Sequence, residues 1–225
     1  MLGCLFEVLE TLLLTLLIFL VVQVFVAQPY QVEQSSMENT LMPNQFVLVD
    51  KLTPRFSDYH RGDIIVFNPP AVWTGGKAGT PYIKRVIGVA GDTVDIHGGH
   101  VFVNGVELTE SYVLDNQPTV VAAPGGQTWT LKHDQLFVMG DHRSVSEDSR
   151  AFGPIDESSV IGRALLRYWP LDKFGPLPAA KLPAIPNPST APAASSAATT
   201  PSAAPTPTKS AAPSAKKSPT ASPKR

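Results

Sequence analysis

The chain opens on an almost wholly apolar segment, and the hydrophobic pattern changes character twice after it. Thr11 to Ala27 reads TLLLTLLIFLVVQVFVA with no charged residue, behind the largely apolar MLGCLFEVLE. A bilayer span needs about 20 residues, so the pattern predicts a helix beginning near Leu5 or Val8, with Glu7 and Glu10 close to one interface. Gln28-Pro29 ends it, because proline disfavours helical conformation in the residue before it. A cleavable secretory signal is the competing reading. It lacks a basic start, and Phe25-Val26-Ala27 puts a bulky side chain where a small one is wanted. An uncleaved membrane anchor over 1–28 is therefore expected.

Past Pro29 the apolar runs become short and rich in β-branched and aromatic residues. Those at 46–49, 63–67, 82–87 and 136–139 are each bounded by Gly, Pro, Asn or Asp, which predicts strands. The segments 101–103 and 106–108 flank Asn104-Gly105, a pair that accepts the positive φ angles of a two-residue type I′ hairpin turn. The run 160–168 reads as a last strand, although its length leaves a helix open. No long amphipathic helix interrupts the series, so 29–175 is predicted as one mainly antiparallel β domain. From Pro176 to Arg225 the chain holds 12 of its 22 prolines, six Lys/Arg and no acid. Such a segment has almost nothing to bury, so it is predicted to be a disordered, partly extended tail. Its role is read as a solvated spacer, the alternative being weak attachment to anionic lipid, cell wall or nucleic acid through its positive charges.

Composition narrows this further. The chain has 225 residues, and the part before Pro176 carries 12 basic and 19 acidic residues, a formal −7. That excludes a generally basic nucleic-acid binder. Cys4 is the single cysteine, so no intramolecular disulfide and no cysteine metal cage is available. The body, roughly 150 residues, is large enough for one unstapled core. No Lys or Arg precedes Lys51, so charge alone sets no orientation for the anchor.

Three stretches are more polar than a β core needs: Gln34 to Leu41, Tyr82 to Gly88, and Gly140 to Arg150. In the second, alternation sends Lys84 to one face with Tyr82 and Val86, and Arg85 to the other with Ile83 and Ile87. One cation must then lie on or near a packed face. Desolvation lowers a lysine pKa by several units, whereas arginine keeps its proton. Of the two, only Lys84 can become a neutral base. A serine beside such a lysine forms a nucleophile and its base, but pattern alone selects no serine. A Ser-His-Asp arrangement using Ser36, Asp141 and one of His60, His97, His100, His133 or His142 stays open. No two histidines have the spacing of a helical metal-ligand pair, and no metal or organic cofactor is expected.

In this order behind an anchor, the three stretches resemble the conserved boxes of bacterial type I signal peptidases, membrane-anchored serine-lysine proteases. Ser36-Met37-Glu38-Asn39-Thr40-Leu41 resembles the family's Ser-Met-x-Pro-Thr-Leu. Lys84-Arg85-Val86-Ile87-Gly88-Val89-Ala90-Gly91-Asp92 resembles Lys-Arg-x-x-Gly-x-x-Gly-Asp. Gly140 to Arg150 resembles Gly-Asp-Asn-Arg-x-x-Ser-x-Asp-Ser-Arg with one change. The resemblance spans about three-quarters of the chain, from near residue 10 to Gly175. It implies a mostly β catalytic domain that cuts exported preproteins after small side chains at −1 and −3. It implies Ser36 as nucleophile, Lys84 as general base and Ser146 as the serine that orients the lysine. Met37, Leu41, Tyr82 and Ile83 match positions near the substrate pockets, and Asp141, Arg143, Asp148 and Arg150 match residues that hold the catalytic loop. The oxyanion donors implied are the Ser36 N–H and, in place of a serine hydroxyl seen in some relatives, Gln34. Asn39 stands where the family has proline, which is expected to loosen that turn, and His142 stands where it has asparagine.

These implications place the chain in a bacterial cell membrane as a single-pass protein. Its catalytic domain lies on the extracytoplasmic side, facing preproteins and the lipid bilayer, with no specific nucleic-acid partner. A monomer is expected. Two rivals are weighed. A self-cleaving serine-lysine protease of the SOS-repressor type would carry a DNA-binding segment where this chain has its anchor. A catalytically inactive anchored β domain that binds exported or cell-wall proteins is opposed by the intact Ser36 and Lys84.

Overall fold

The computed structural model describes residues 2–76, 79–122 and 126–186. The tail from Asn187 onward lies outside the described residues. Helix α1 (Leu2–Val21) continues through one wider π turn (Val22–Val26) and stops at extended Ala27. Phe6–Val26, 21 residues, is long and apolar enough to cross a bilayer, and its side chains are not buried against the rest of the chain. Within it, Thr11 and Thr15 donate their hydroxyls to the carbonyls of Glu7 and Thr11, which satisfies both hydroxyls inside the helix itself.

Twelve strands follow among the described residues. They are β1 (Ala27–Gln31), β2 (Phe46–Asp50), β3 (Ile64–Phe67), β4 (Tyr82–Gly88), β5 (Thr93–His97), β6 (His100–Val103), β7 (Val106–Glu107), β8 (Gln127–Thr130), β9 (Gln135–Met139), β10 (Ile155–Asp156), β11 (Val160–Trp169) and β12 (Gly175–Pro176). The larger sheet runs β1-β2-β11-β3-β4-β9-β10, with β12 pairing β11. The smaller runs β7-β6-β5-β8. Every pairing is antiparallel. The mainly antiparallel β class expected from the apolar runs is what forms, and 160–168 resolves as strand rather than helix. Asn104 (φ 51°) and Gly105 (φ 79°) make the predicted hairpin turn.

Strand β1 was not legible because Pro29 and two glutamines occupy it. It pairs only at the sheet edge, where a missing N–H is tolerated. The packing is also fuller than alternation predicted. Val86 and Ile87 are neighbours on β4, yet they belong to two different hydrophobic cores, so both faces of this strand are covered. Lys84 and Arg85 are consequently both buried, at 1% and 0% exposure, where only one cation was expected on a packed face.

The chain from Pro176 to Pro186, assigned to the tail by composition, runs along the domain. Leu177 packs on the core around Val47 and Val49, while Ala180, Leu182 and Ile185 pack on the core of the smaller sheet. The Pro186 carbonyl accepts from Asn104 Nδ2 at 2.9 Å. Four apolar side chains among the prolines give this stretch enough to bury, a signal that average composition hides.

Candidate active site

Ser36 sits in a single 3-10 turn (Ser35–Met37) entered from extended Gln34. Met37 and Leu41 carry that turn. They are fully buried in the core with Val32, Val47 and Val49, so they support the serine from beneath and are not walls of the adjacent groove. Lys84 reaches the turn from β4, and its Nζ donates to Ser36 Oγ at 2.6 Å, both residues being buried. Burial lowers the Lys84 pKa from 10.5 to about 8, the nearby Asp148 carboxylate only partly opposing it. No carboxylate forms an ion pair with this lysine among the described residues.

The Gly140–Arg150 loop lies directly over the serine. The His142 N–H donates to the Ser36 carbonyl at 3.1 Å. A Cβ on Gly140 would collide with that carbonyl and with Ser146 Oγ, so glycine is what permits the approach. Asp141 accepts both Nε and Nη2 of Arg85, at 2.9 and 2.7 Å, and the Thr40 hydroxyl at 2.5 Å. Arg143 donates to Glu110 through Nη1 and Nη2, at 2.9 and 2.5 Å, to Thr119 and to the Gly140 carbonyl. Arg150 grips Asp148 and the carbonyls of Arg143 and Ser146. Burial alone would push the Asp148 carboxyl up, but the bonds from Arg150 and the Gly140 N–H hold it below its ordinary value.

Ser146 departs from expectation. Its Oγ lies near the Asp148 carboxylate but meets hydrogen-bond geometry with no described group, Lys84 included. The Ser-His-Asp alternative does not assemble. Asp141 is committed to Arg85 and Thr40. His60, His97, His100 and His133 have exposed side chains paired with surface carboxylates. His142 places Nδ1 3.0 Å from Glu38 Oε2. Asn39 is in left-handed conformation, φ 85°, which a proline ring cannot adopt. Its Nδ2 donates to the Tyr112 carbonyl at 3.0 Å, so this turn is pinned rather than loosened.

A groove of about 180 Å³ opens beside Ser36. Its apolar walls include Tyr30, Val32, Val66, Tyr82 and Ile83, and Gln34 lies at its polar rim. Two unclosed backbone edges border it, one beyond β1 and one at the start of β4, where β9 no longer pairs. Sequence reasoning placed Thr40 in the serine box without assigning it a role, and missed Glu110, Tyr112 and Thr119. Each is an ordinary residue alone and becomes part of the site only through partners tens of residues away.

The sequence pattern of a family described as signal peptidase, peptidase S26, matches residues 5–169. The chain belongs to the S26 signal peptidase family. A signal peptidase I from Leptolyngbya laminosa is 34% identical over 178 residues, 77% of this chain and 84% of the relative. A probable signal peptidase I-2 from Synechocystis is 34% identical over 168 residues, 74% of each chain. A signal peptidase I P from Bacillus subtilis subsp. natto is 32% identical over 171 residues, 73% of this chain and 89% of the relative. The S26 match spans most of α1, the serine turn, β4 and the Gly140–Arg150 loop together, so the apolar helix and the buried pair fall within one family pattern.

Proposed function

We propose that this chain is a signal peptidase I: a membrane-bound serine endopeptidase that removes signal peptides from exported preproteins, with Ser36 as nucleophile and Lys84 as general base. The observation that carries the reading is the 2.6 Å contact between Ser36 Oγ and a buried lysine whose pKa is lowered to about 8. The substrate segment before the scissile bond lies extended in the groove and adds a strand to its open backbone edges. The groove beside Ser36, with its apolar walls, receives the small side chains at −1 and −3.

With Lys84 neutral, the contact reverses: the Ser36 hydroxyl donates to the lysine lone pair. Oγ attacks the scissile carbonyl as Nζ takes its proton. The oxyanion is stabilised by the Ser36 N–H and the Gln34 side-chain amide. Lys84 passes the proton to the departing amine as the C–N bond breaks, which leaves an acyl-enzyme. It then takes a proton from water as that water attacks the ester, and the proton returns to Oγ. Asp141, Arg143, Asp148 and Arg150 do none of this chemistry; they hold the loop whose His142 N–H fixes the Ser36 carbonyl. Ser146, its hydroxyl buried beside the serine turn and near the Asp148 carboxylate, is the lysine-orienting residue.

The anchor holds the site at the bilayer where a preprotein's own apolar segment is embedded, with the catalytic domain on the extracytoplasmic side. The test is cleavage of a preprotein bearing Ala-x-Ala by full-length enzyme in detergent, wild type beside Lys84→Ala. Cleavage after the −1 alanine by wild type alone is expected, with a rate that rises with pH through about 8. Cleavage by both proteins would retain the peptidase and remove the lysine mechanism. Cleavage by neither, with no labelling of Ser36 by an acylating β-lactam-type probe, would leave an inactive binding domain.

A further inference from the structure

We propose that the His142 imidazole and the Glu38 carboxylate are a positioning pair for the nucleophile, closing on each other when substrate is bound and holding Ser36 in its reacting place. The inference rests on reading Ser36 as the nucleophile of a signal peptidase, and it adds two residues to that mechanism. Both lie outside the fixed residues of the family boxes: Glu38 fills a variable place, and His142 stands where asparagine is usual. The serine segment is held from the loop side at three alternate residues. The Ser36 carbonyl accepts the His142 N–H at 3.1 Å, Glu38 Oε2 lies 3.0 Å from His142 Nδ1, and the Thr40 hydroxyl donates to Asp141 Oδ2 at 2.5 Å. His142 thus spans the step from Ser36 to Glu38, with its backbone on one residue and its ring beside the other. The turn needs such support. Ser35–Met37 is one 3-10 turn, closed by the Glu38 N–H on the Ser35 carbonyl at 3.0 Å, and a turn this short has little rigidity of its own.

The backbone that delivers the ring is firm. Asp141 and Arg143, on either side of His142, are buried and bonded to Arg85 and Glu110. The ring contact itself is only half made. His142 Nδ1 is buried and has no aligned hydrogen bond, although the Glu38 carboxylate is within reach. A lone pair on Nδ1 would face a carboxylate lone pair at 3.0 Å, so Nδ1 is the nitrogen that carries a proton. A buried N–H with no aligned acceptor is costly, and a small rotation of either side chain removes that cost. Bonds in an active site are often loose without substrate and tighten in the complex. The two side chains are 15% and 24% exposed, so the bond closes in partly desolvated surroundings that strengthen it. Closing it presses the His142 N–H onto the Ser36 carbonyl and fixes the serine from the side opposite the groove. A nucleophile held in line gains rate through orientation alone, without any new group touching the reacting atoms.

The test measures kcat and KM of the full chain in detergent on a preprotein bearing Ala-x-Ala, beside the rate at which a β-lactam-type probe acylates Ser36. Glu38→Ala and His142→Ala are each expected to lower kcat and the acylation rate roughly ten-fold and to leave KM unchanged. The double variant is expected to be no slower than either single one, because the two residues act as a unit. Glu38→Gln should keep the wild-type kcat, since its amide oxygen still accepts. His142→Asn should keep it too, because asparagine Nδ2 lies as many bonds from the backbone as imidazole Nδ1. Unchanged kcat in both alanine variants, or a double variant slowed by the product of the two, overturns the pair and leaves Ser36 and Lys84 standing. A change in KM alone would make these residues substrate contacts and equally overturn it. If the alanine variants do not fold, the other two decide: a fall in kcat in folded Glu38→Gln and His142→Asn overturns the pair. Wild type that neither cuts the preprotein nor takes the probe overturns the peptidase reading and the pair with it.

Discussion

Lys84 and Arg85 are consecutive on β4 and equally buried, yet their surroundings treat charge in opposite ways. Arg85 is fully matched. It holds a bidentate carboxylate in Asp141, the Gly62 carbonyl and the Thr40 hydroxyl, and its guanidinium lies 4.2 Å from the centre of the Tyr112 ring. Lys84 has one neutral oxygen, Ser36 Oγ, and the Tyr82 ring 5.3 Å from Nζ, but no carboxylate bonded to it. Burial of a cation is therefore not a single condition. Where every donor finds an acceptor the charge stays, and the pair becomes a structural joint between β4 and the loop at Asp141. Where no carboxylate is offered, the proton is held weakly, as the proposed base requires.

This contrast is open to attack at both residues. The largest expected effect is on turnover: Lys84→Met should lower preprotein cleavage by about 10⁴-fold, the scale of removing one member of a serine catalytic set, measured in single-turnover assays. Its folding should survive, because methionine replaces a buried cation that no carboxylate pairs. Arg85→Met should do the reverse. It strands Asp141 and is expected to lower stability by about 3–5 kcal/mol, read from denaturant unfolding of the detergent-solubilised protein. Wild-type stability at pH 7 from Arg85→Met would mean that the joint contributes nothing.

The third expectation concerns pH. The Lys84 pKa is lowered in the folded chain, so below about pH 8 both folded and unfolded forms carry the proton and the burial penalty applies in full. Between about 8 and 10.5 only the unfolded chain holds it, and stability rises with pH across that window. The rise should approach about 3 kcal/mol and be absent from Lys84→Met, so the difference between the two unfolding curves isolates it. The smallest effect is expected at Thr40→Val, which removes one bond to Asp141 and one from Arg85. It should cost about 1–3 kcal/mol with little change in the pH dependence of cleavage. A shifted pH profile there would show that the two neighbours are not independent.

Much of the site was legible in the sequence because its signals are local. Ser36, Lys84 and the Gly140–Arg150 loop each sit in a short polar stretch between apolar runs, and the Asn104-Gly105 turn announces itself in two residues. What was illegible is pairing across distance. Glu110 closes on Arg143, and Asn39 closes on the Tyr112 carbonyl 73 residues away. Neither glutamate nor asparagine carries a mark that distinguishes such a role from solvent exposure. The double burial of Lys84 and Arg85 was equally hidden, since alternation describes one strand and cannot report that both of its faces are covered.

The stretch that carries Leu177, Ala180, Leu182 and Ile185 across two cores has a bearing on how the protein is made. These side chains are synthesised after every strand they cover, so a nascent chain has all its strands encoded while both cores are still open along one seam. Closure waits until residues near Pro186 have emerged, which ties final locking of the domain to the late part of its synthesis. A ribosome stalled before Leu177 would leave an unsealed molecule for quality-control proteases, while one that had passed Pro186 would release a closed one.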